Sequence, residues 1–214
     1  MLGCLLLVAA CAVPAKQLNS DFWKENNGKF GVVLVGPVKP GLFKTGQQGA
    51  LDFIVSEVMT QEMRNRIDRL DTGPIRALPE QIAAVLKARG KKVVAVREVP
   101  REAIGRNLET STPLLDYSAL ARSMNVDVLI VVNATHGFSR AYYGPIPITG
   151  PEAVFSAEVL MVDNDKNRVF WSRPTKTARP VGSGWDAPPD YPLLVQAYEE
   201  VLRAGAADIL SDLK

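Results

Sequence analysis

From residue 30 onward the chain alternates between two hydrophobic rhythms. Residues 31–35 (Gly-Val-Val-Leu-Val) form an apolar run of strand length, closed by Gly36-Pro37. A Pro/Gly-rich loop is expected to about residue 49. Leu51, Ile54, Val55, Val58, Met59, Met63, Ile67 and Leu70 then recur at helical spacing, with Glu57, Glu62, Arg64, Asp68 and Arg69 on the opposite face. Thr72-Gly73-Pro74 ends that helix. Pro79 suits the first turn of a second helix, whose apolar side is Ile82, Val85 and Leu86 and whose stop is Gly90. Residues 91–98 read as a strand, and residues 100–113 as polar and irregular. A short helix is expected over 116–124, with Asp116 as N-cap and Asn125 free to turn left-handed after it.

Residues 126–132 (Val-Asp-Val-Leu-Ile-Val-Val) are the most apolar run of the body. Such a run predicts a central strand covered on both faces, here continuing past His136 towards Tyr143. Residues 144–151 hold three prolines and predict a turn or protruding loop. The alternation over 153–162 predicts a return strand. A turn at 163–167 and a strand over 168–172 complete a hairpin. Residues 174–192 read as a long Pro/Gly-rich loop containing Trp185. A final helix is expected from about 192 to 213, with Leu194, Ala197, Val201, Leu202, Ile209 and Leu210 on its buried side. The pattern predicts a single α/β domain over residues 30–214: a mixed β-sheet of about five strands with helices packed on it.

The first thirteen residues, MLGCLLLVAACAV, follow a different rule. They carry no charged side chain, and the apolar run is shorter than the ~20 residues that span a bilayer. Its length is that of a signal-peptide core. Val8-Ala9-Ala10-Cys11 looks like the lipobox of bacterial lipoproteins, although no Lys or Arg precedes the run. That resemblance implies a signal peptide over residues 1–10, cleavage before Cys11, and acyl chains on its sulfur and new amino group. Ala12 after the cysteine implies sorting to the outer membrane. Residues 11–29 would then be the lipidated cysteine and a flexible polar tether.

Composition narrows the function classes. In 214 residues, 25 Lys plus Arg against 23 Asp plus Glu leave a net charge of +2, with no electrostatic case for nucleic acid as a partner. Two cysteines make no disulfide scaffold, and one histidine makes no histidine-rich metal site. Lys44-Thr45 lacks the glycine spacing of a phosphate loop. Asp163-Asn164-Asp165-Lys166-Asn167 starts like a calcium loop, but Arg168 stands where the sharp turn needs Gly and Pro174 where the bidentate Glu belongs, so a solvated turn is expected. His136 is the only candidate for a histidine-based triad, and no Ser lies in a nucleophile elbow. Glu109 and Asp116 are a carboxylate pair by abundance alone. Arg97, Arg101 and Arg106 are interleaved with Glu98, Glu102 and Glu109, as on a solvated mixed surface.

Residues 117–130 (YSALARSMNVDVLI), then 157–163 (AEVLMVD), then 168–172 (RVFWS) carry a family resemblance. A short helix leads into a buried strand, and a strand ending in Asp turns into one ending in Trp-Ser. This resembles envelope lipoproteins of the curli-secretion type and lipoproteins with a TolB N-terminal-like (anticodon-binding-like) domain, including activators of peptidoglycan synthases. The resemblance implies a periplasm-facing domain that binds other envelope proteins, often as a homo-oligomer, with no catalytic residue and no cofactor. The expectation is a non-enzymatic lipoprotein on the periplasmic face of the outer membrane, anchored through Cys11, that acts in assembly, secretion or synthase regulation. The rivals are a subunit of an oligomeric secretion pore and a periplasmic small-ligand binder or hydrolase. Phe138, Arg140, Tyr142, Tyr143 and Ile146, in a Pro-flanked aromatic stretch, and Trp185 are the candidate partner-binding residues, because aromatic and Arg side chains in loops are frequent contact anchors.

Overall fold

A sixteen-residue strand, β6 (Val128–Tyr143), organises the chain in the computed structural model. The structure describes residues 17–18, 21–36, 38–47, 61–107, 114–143, 146–165, 167–182, 184–186 and 188–213. The first half of β6 pairs in parallel with β1 (Lys29–Val35), whose outer neighbour is the parallel strand β3 (Lys92–Val99). On its other edge β6 pairs antiparallel with β8 (Glu152–Asp163), which pairs antiparallel with β9 (Val169–Pro180). The main order is therefore β3-β1-β6-β8-β9, the mixed five-strand sheet that the sequence predicts. Two shorter strands line the second half of β6: β2 (Gly41–Gln47), in parallel, and β7 (Ile146–Pro147), antiparallel.

Period-two alternation divides the apolar residues between two faces. Phe30, Val32, Leu34, Val128, Ile130, Val132, Phe155, Val159 and Met161 face one core, under α4 (Leu78–Ala88) and α6 (Pro192–Leu213). Val33, Val35, Leu129, Val131 and Val162 face a smaller one with Tyr117, Ala121 and Met124, under α5 (Ser118–Ser123). Five consecutive residues of β6, Val128 to Val132, are almost fully buried because both faces are covered there. Gly205 lets α6 settle on β8, since a Cβ there would lie 2.1 Å from the fully buried Phe155 ring. At the sheet edge Arg173 pairs with Asp208 and Asp212 of α6, and the Thr175 hydroxyl donates to Asp208, tying β9 to the helix.

Several elements differ from the sequence reading. The expected loop before residue 49 contains β2. The break at Thr72-Gly73-Pro74 opens a helical turn, α3 (Gly73–Arg76), with Pro74 in its first turn. Residues 100–113, expected irregular, include a 3-10 turn at Arg101–Ala103 and β4 (Gly105–Asn107), which pairs with β5 (Leu114–Asp116). The hairpin strand expected to end at 172 runs on to Pro180. The long helix over 51–70 is described only from Gln61, as α2 (Gln61–Asp68), and residues 51–60 lie outside the described residues. Residues 22–25 of the expected tether form a short helix, α1 (Phe22–Glu25), packed on the first core. Its Phe22 meets Phe170, and its Trp23 lies between Phe30 and the Arg89 guanidinium.

β2 reaches β6 because of one glycine. Gly137 sits at φ +141°, and a Cβ there would lie 1.9 Å from the Gly41 carbonyl oxygen. Gly137→Ala is expected to lower stability by about 2–4 kcal/mol, since neither backbone can yield without breaking the ladder. Gly184→Ala, with open space around the new methyl, is expected to stay within about 0.5 kcal/mol. Urea unfolding of both variants checks the contrast.

Candidate functional site

The second half of β6 and the turn after it carry the largest exposed apolar side chains of the described chain. Tyr143 and Ile146 are direct cross-strand partners, so they share a face. The Ile148 N–H donates to the Ala141 carbonyl at 2.9 Å, which extends the pairing and puts Ile148 on that same face. Tyr143, Ile146 and Ile148 are 65%, 62% and 61% exposed. Phe43 of β2, opposite Ser139, is half-buried, with its ring lying over Gly41. The Arg140 Nε donates to the Thr149 carbonyl at 2.9 Å, and the Ala141 N–H to the Thr149 hydroxyl at 3.1 Å, bracing the tip.

The six candidate contact residues differ in exposure, and for Tyr142 and Tyr143 strand parity decides it. Tyr143 and Ile146 point outward into solvent. Phe138 is fully buried and Tyr142 nearly so, both on the core face, and Arg140 is half-buried and braces the tip. Trp185 folds inward, half-buried, with its ring 6.1 Å edge-on from Phe138. Ile148 belongs to the exposed set. Strand alternation applied beyond residue 143 would have found it, had the three prolines not marked that segment as loop. Cys11 lies outside the described residues.

His136 is on the core face of β6, 2% exposed. Its Nδ1 shares a 2.8 Å hydrogen bond with the Tyr198 hydroxyl of α6, and its Nε2 is buried with no partner. Burial lowers the imidazole pKa to about 4, so the ring is neutral at pH 7. Burial, helped by the Asp71 charge, raises the Tyr198 hydroxyl and keeps it protonated. Phe138 stacks on Tyr198 at 5.8 Å, and the Trp185 Nε1 is a second buried nitrogen without a partner.

On the opposite face Tyr117 is 3% exposed, and its hydroxyl accepts from the Asn133 amide at 3.3 Å. Burial pushes the Tyr117 hydroxyl and the nearby Glu158 carboxyl above their usual ranges. Asp116 accepts from the Ser118 N–H at 2.9 Å, and that bond lowers its carboxyl pKa. It works at the start of α5. Glu109 lies outside the described residues. In the turn after β8, Asp163 pairs with Arg168 at 3.2 Å. Asn167 accepts from the Tyr117 N–H and donates to the Leu115 carbonyl, so it pins α5 to the hairpin. Among the described residues, no group of three His, Cys, Asp or Glu is placed to hold a metal ion, and no helix is long and apolar enough to cross a membrane. Among the same residues no nucleophile lies within hydrogen-bond reach of His136, whose one partner is the Tyr198 hydroxyl.

No protein-family profile matches the chain, and no curated protein does. Solved structures similar to it include the PelC dodecamer from Paraburkholderia phytofirmans, 15% identical over 85% of each chain with a TM-score of 0.34. A DUF330 protein from Xanthomonas campestris is 14% identical over 86% of this chain and 83% of that one, with a TM-score of 0.36. Lipoprotein GNA1162 from Neisseria meningitidis is 14% identical over 85% of this chain and 99% of that one, with a TM-score of 0.32. Likeness of this degree concerns the path of the chain, and no residue role passes from those proteins to this one.

The buried histidine has a consequence for stability. Its folded pKa of about 4 lies below the ordinary imidazole value of 6.5. Between those limits the unfolded chain binds a proton that the folded chain refuses, so stability falls as pH drops from about 6.5 towards 4. The loss attributable to His136 is on the order of 3 kcal/mol. Denaturant unfolding of the native chain and of His136→Phe at pH 7.5, 5.5 and 4 reads it as a loss of stability with acid in the native chain that the variant does not share.

Proposed function

We propose that the chain is a non-enzymatic envelope lipoprotein, anchored through acyl chains on Cys11, whose α/β domain docks other envelope proteins through the tip formed by Tyr143, Ile146 and Ile148. The observation that carries this reading is where the tip stands. Three large apolar side chains share one face of a braced strand pair, in water, where each forgoes the gain of burial. A core function does not account for them, because the core is complete without them. Exposed aromatic and aliphatic side chains beside an Arg are the composition enriched at protein interfaces.

The geometry of the two ends supports the same reading. The N-terminal segment packs beside Phe30 and Phe170, at the end of the sheet where β6 begins. The tip is at the other end of β6, about 50 Å away at strand spacing. From Cys11 to Leu18 the chain reaches at most about 25 Å. An anchored domain with its N-terminal end towards the bilayer would carry the tip away from it, into the periplasm. The neutral His136, held by Tyr198 in the core, is accounted for by packing. Outer-membrane sorting rests on Ala12 and belongs to the same proposal. The partners include copies of the same chain.

Two variants test the reading separately. Cys11→Ser is expected to move the protein from the membrane to the soluble fraction and to leave an intact mass without acyl chains. The triple variant Tyr143→Ser, Ile146→Ser, Ile148→Ser is expected to keep its melting temperature within a few degrees, since exposed substitutions cost little. It is expected to lose the proteins that cross-link to the native domain in cells. Retention of all those partners by a folded triple variant removes the tip from the proposal.

A further inference from the structure

The end of the domain that receives the N-terminal segment carries a basic face. β1 and β3 begin there side by side, and their register puts Lys29 directly beside Lys92. Lys87 is exposed in the last turn of α4, and the turn from α4 into β3 adds Arg89 and Lys91. Lys24, on α1, keeps 82% of its side chain in water. These cations frame the place where α1 docks. The Arg89 guanidinium lies over the Trp23 ring, and the Lys91 ammonium donates to the Trp23 and Asn26 carbonyls. The carboxylates on this side are Asp21, Glu25 and Asp127. Asp21 pairs with Lys24, and Asp127 accepts from the Lys29 N–H at 2.7 Å. Asp212, beside the Leu213 carbonyl that takes Arg89 Nε, is already paired with Arg173. Six cations against those three carboxylates leave a surplus larger than the +2 of the whole chain.

Part of this charge has a local reason. α4 ends among Lys87, Arg89 and Lys91, and a helix C-terminus attracts cations. Lys29 and Lys92 have no such reason. Like charges side by side on neighbouring strands repel, and among the described residues neither ammonium group has a hydrogen-bond or ion-pair partner. An acid at either position would relieve the pair from within. As the chain stands, what relieves both lysines is a negative surface outside the molecule. Across the sheet the charge reverses: Asp163 and Asp165 line a cavity with Asp127, beside Arg168. This end of the domain is therefore divided, basic along β3, β1 and the end of α4, and acidic at the turn after β8.

We propose that the basic face rests on anionic lipid headgroups, with Lys29, Lys87 and Lys92 as its contact residues. The inference rests on the anchored reading above and deepens it, by naming what the N-terminal end of the domain faces. Charge and place both argue for this occupant. A lysine near an anionic bilayer strengthens binding about fivefold, and the effect fades within a Debye length of about 8 Å at physiological salt. A tether running from Cys11 to α1 delivers these particular residues to that distance. Acyl chains and a basic patch together make a firmer attachment than either alone. The domain would sit with its β3 side down and the acidic turn after β8 lifted away.

The test uses the full chain carrying Cys11→Ser, so that no acyl chain holds it, and two kinds of vesicle: phosphatidylcholine alone, and phosphatidylcholine with phosphatidylglycerol. The readout is the ratio of the two binding constants in co-sedimentation, because insertion of the apolar first residues adds to both alike. Binding is expected to be at least about tenfold tighter to the anionic vesicles at low salt, and the preference is expected to vanish at high salt. Lys29→Gln, Lys87→Gln and Lys92→Gln together are expected to remove it, at about fivefold for each lysine. Arg122→Gln, Lys176→Gln and Arg179→Gln together take the same charge from exposed positions elsewhere, and are expected to leave it in place. Both triple variants are expected to melt within a few degrees of the parent. Equal binding to the two vesicles, a preference that survives loss of the three lysines, or one that falls equally in the control variant overturns the proposal. None of these results touches the anchor or the tip, which intact mass and cross-linking read separately.

Discussion

The backbone ladder along β6 is the constraint on which the rest depends. Sixteen consecutive residues are held in extended conformation, with β1 and then β2 on one edge and β8 and then β7 on the other. Its N–H and C=O groups are satisfied by four different strands, and each partner arrives under a different rule. β1 brings a continuous apolar run because both faces are covered where it pairs. β8 brings alternation because one of its faces is open to solvent ahead of Leu160. β2 brings little side-chain logic and depends on the missing Cβ at Gly137. A single strand thus fixes the two cores, the position of α6 and the projection of the tip.

What could be read from the amino acids follows from that division. The runs at 31–35 and 126–132, the alternation at 153–162 and the helix at 192–213 are local patterns written by burial, and they appear where the patterns put them. Asn125, expected to turn left-handed, does so at φ +54°. The strand state of β2 was not legible. Its sequence Gly-Leu-Phe-Lys-Thr-Gly-Gln has no alternation, and the open edge of β6 imposes the conformation. The second half of β9 was hidden by Pro174 and Pro180. An edge strand tolerates proline because only one of its sides must donate to the ladder. The candidate contact residues were legible as a segment and not as a face. The expected continuation of the central strand towards Tyr143 carries the parity that separates Tyr142 from Tyr143, but the aromatic and proline content of the segment marks it as one surface without assigning its two faces.

The two buried nitrogens without a partner and the exposed tip show the same economy at opposite ends of the polarity scale. At the tip, apolar groups stand in water. In the aromatic cluster, polar groups stand away from it. Both arrangements lower stability, and both are held in place by neighbours that leave no alternative: the Thr149 brace at the tip, and the packed face of α6 over His136. Departures of this kind from the usual sorting of residues are where function is to be sought in an otherwise ordinary α/β core.

The parallel pairing of β1 with β6 also sets the order in which the chain can become a protein. The Lys29 N–H is held by the Asp127 carboxylate, 98 residues further on, and the register of β1 on β6 starts at Phe30 and Val128. The pairing of β1 with β3 spans fewer residues, Lys29 with Lys92, and leaves the edge that β6 occupies open. A chain emerging from its N-terminus therefore cannot complete both edges of its first strand until residues 128–133 have appeared. Loop closure over that span is slow. The topology therefore leaves the inner edge of β1 waiting for the middle of the chain, and the sheet closes only once β6 has been made.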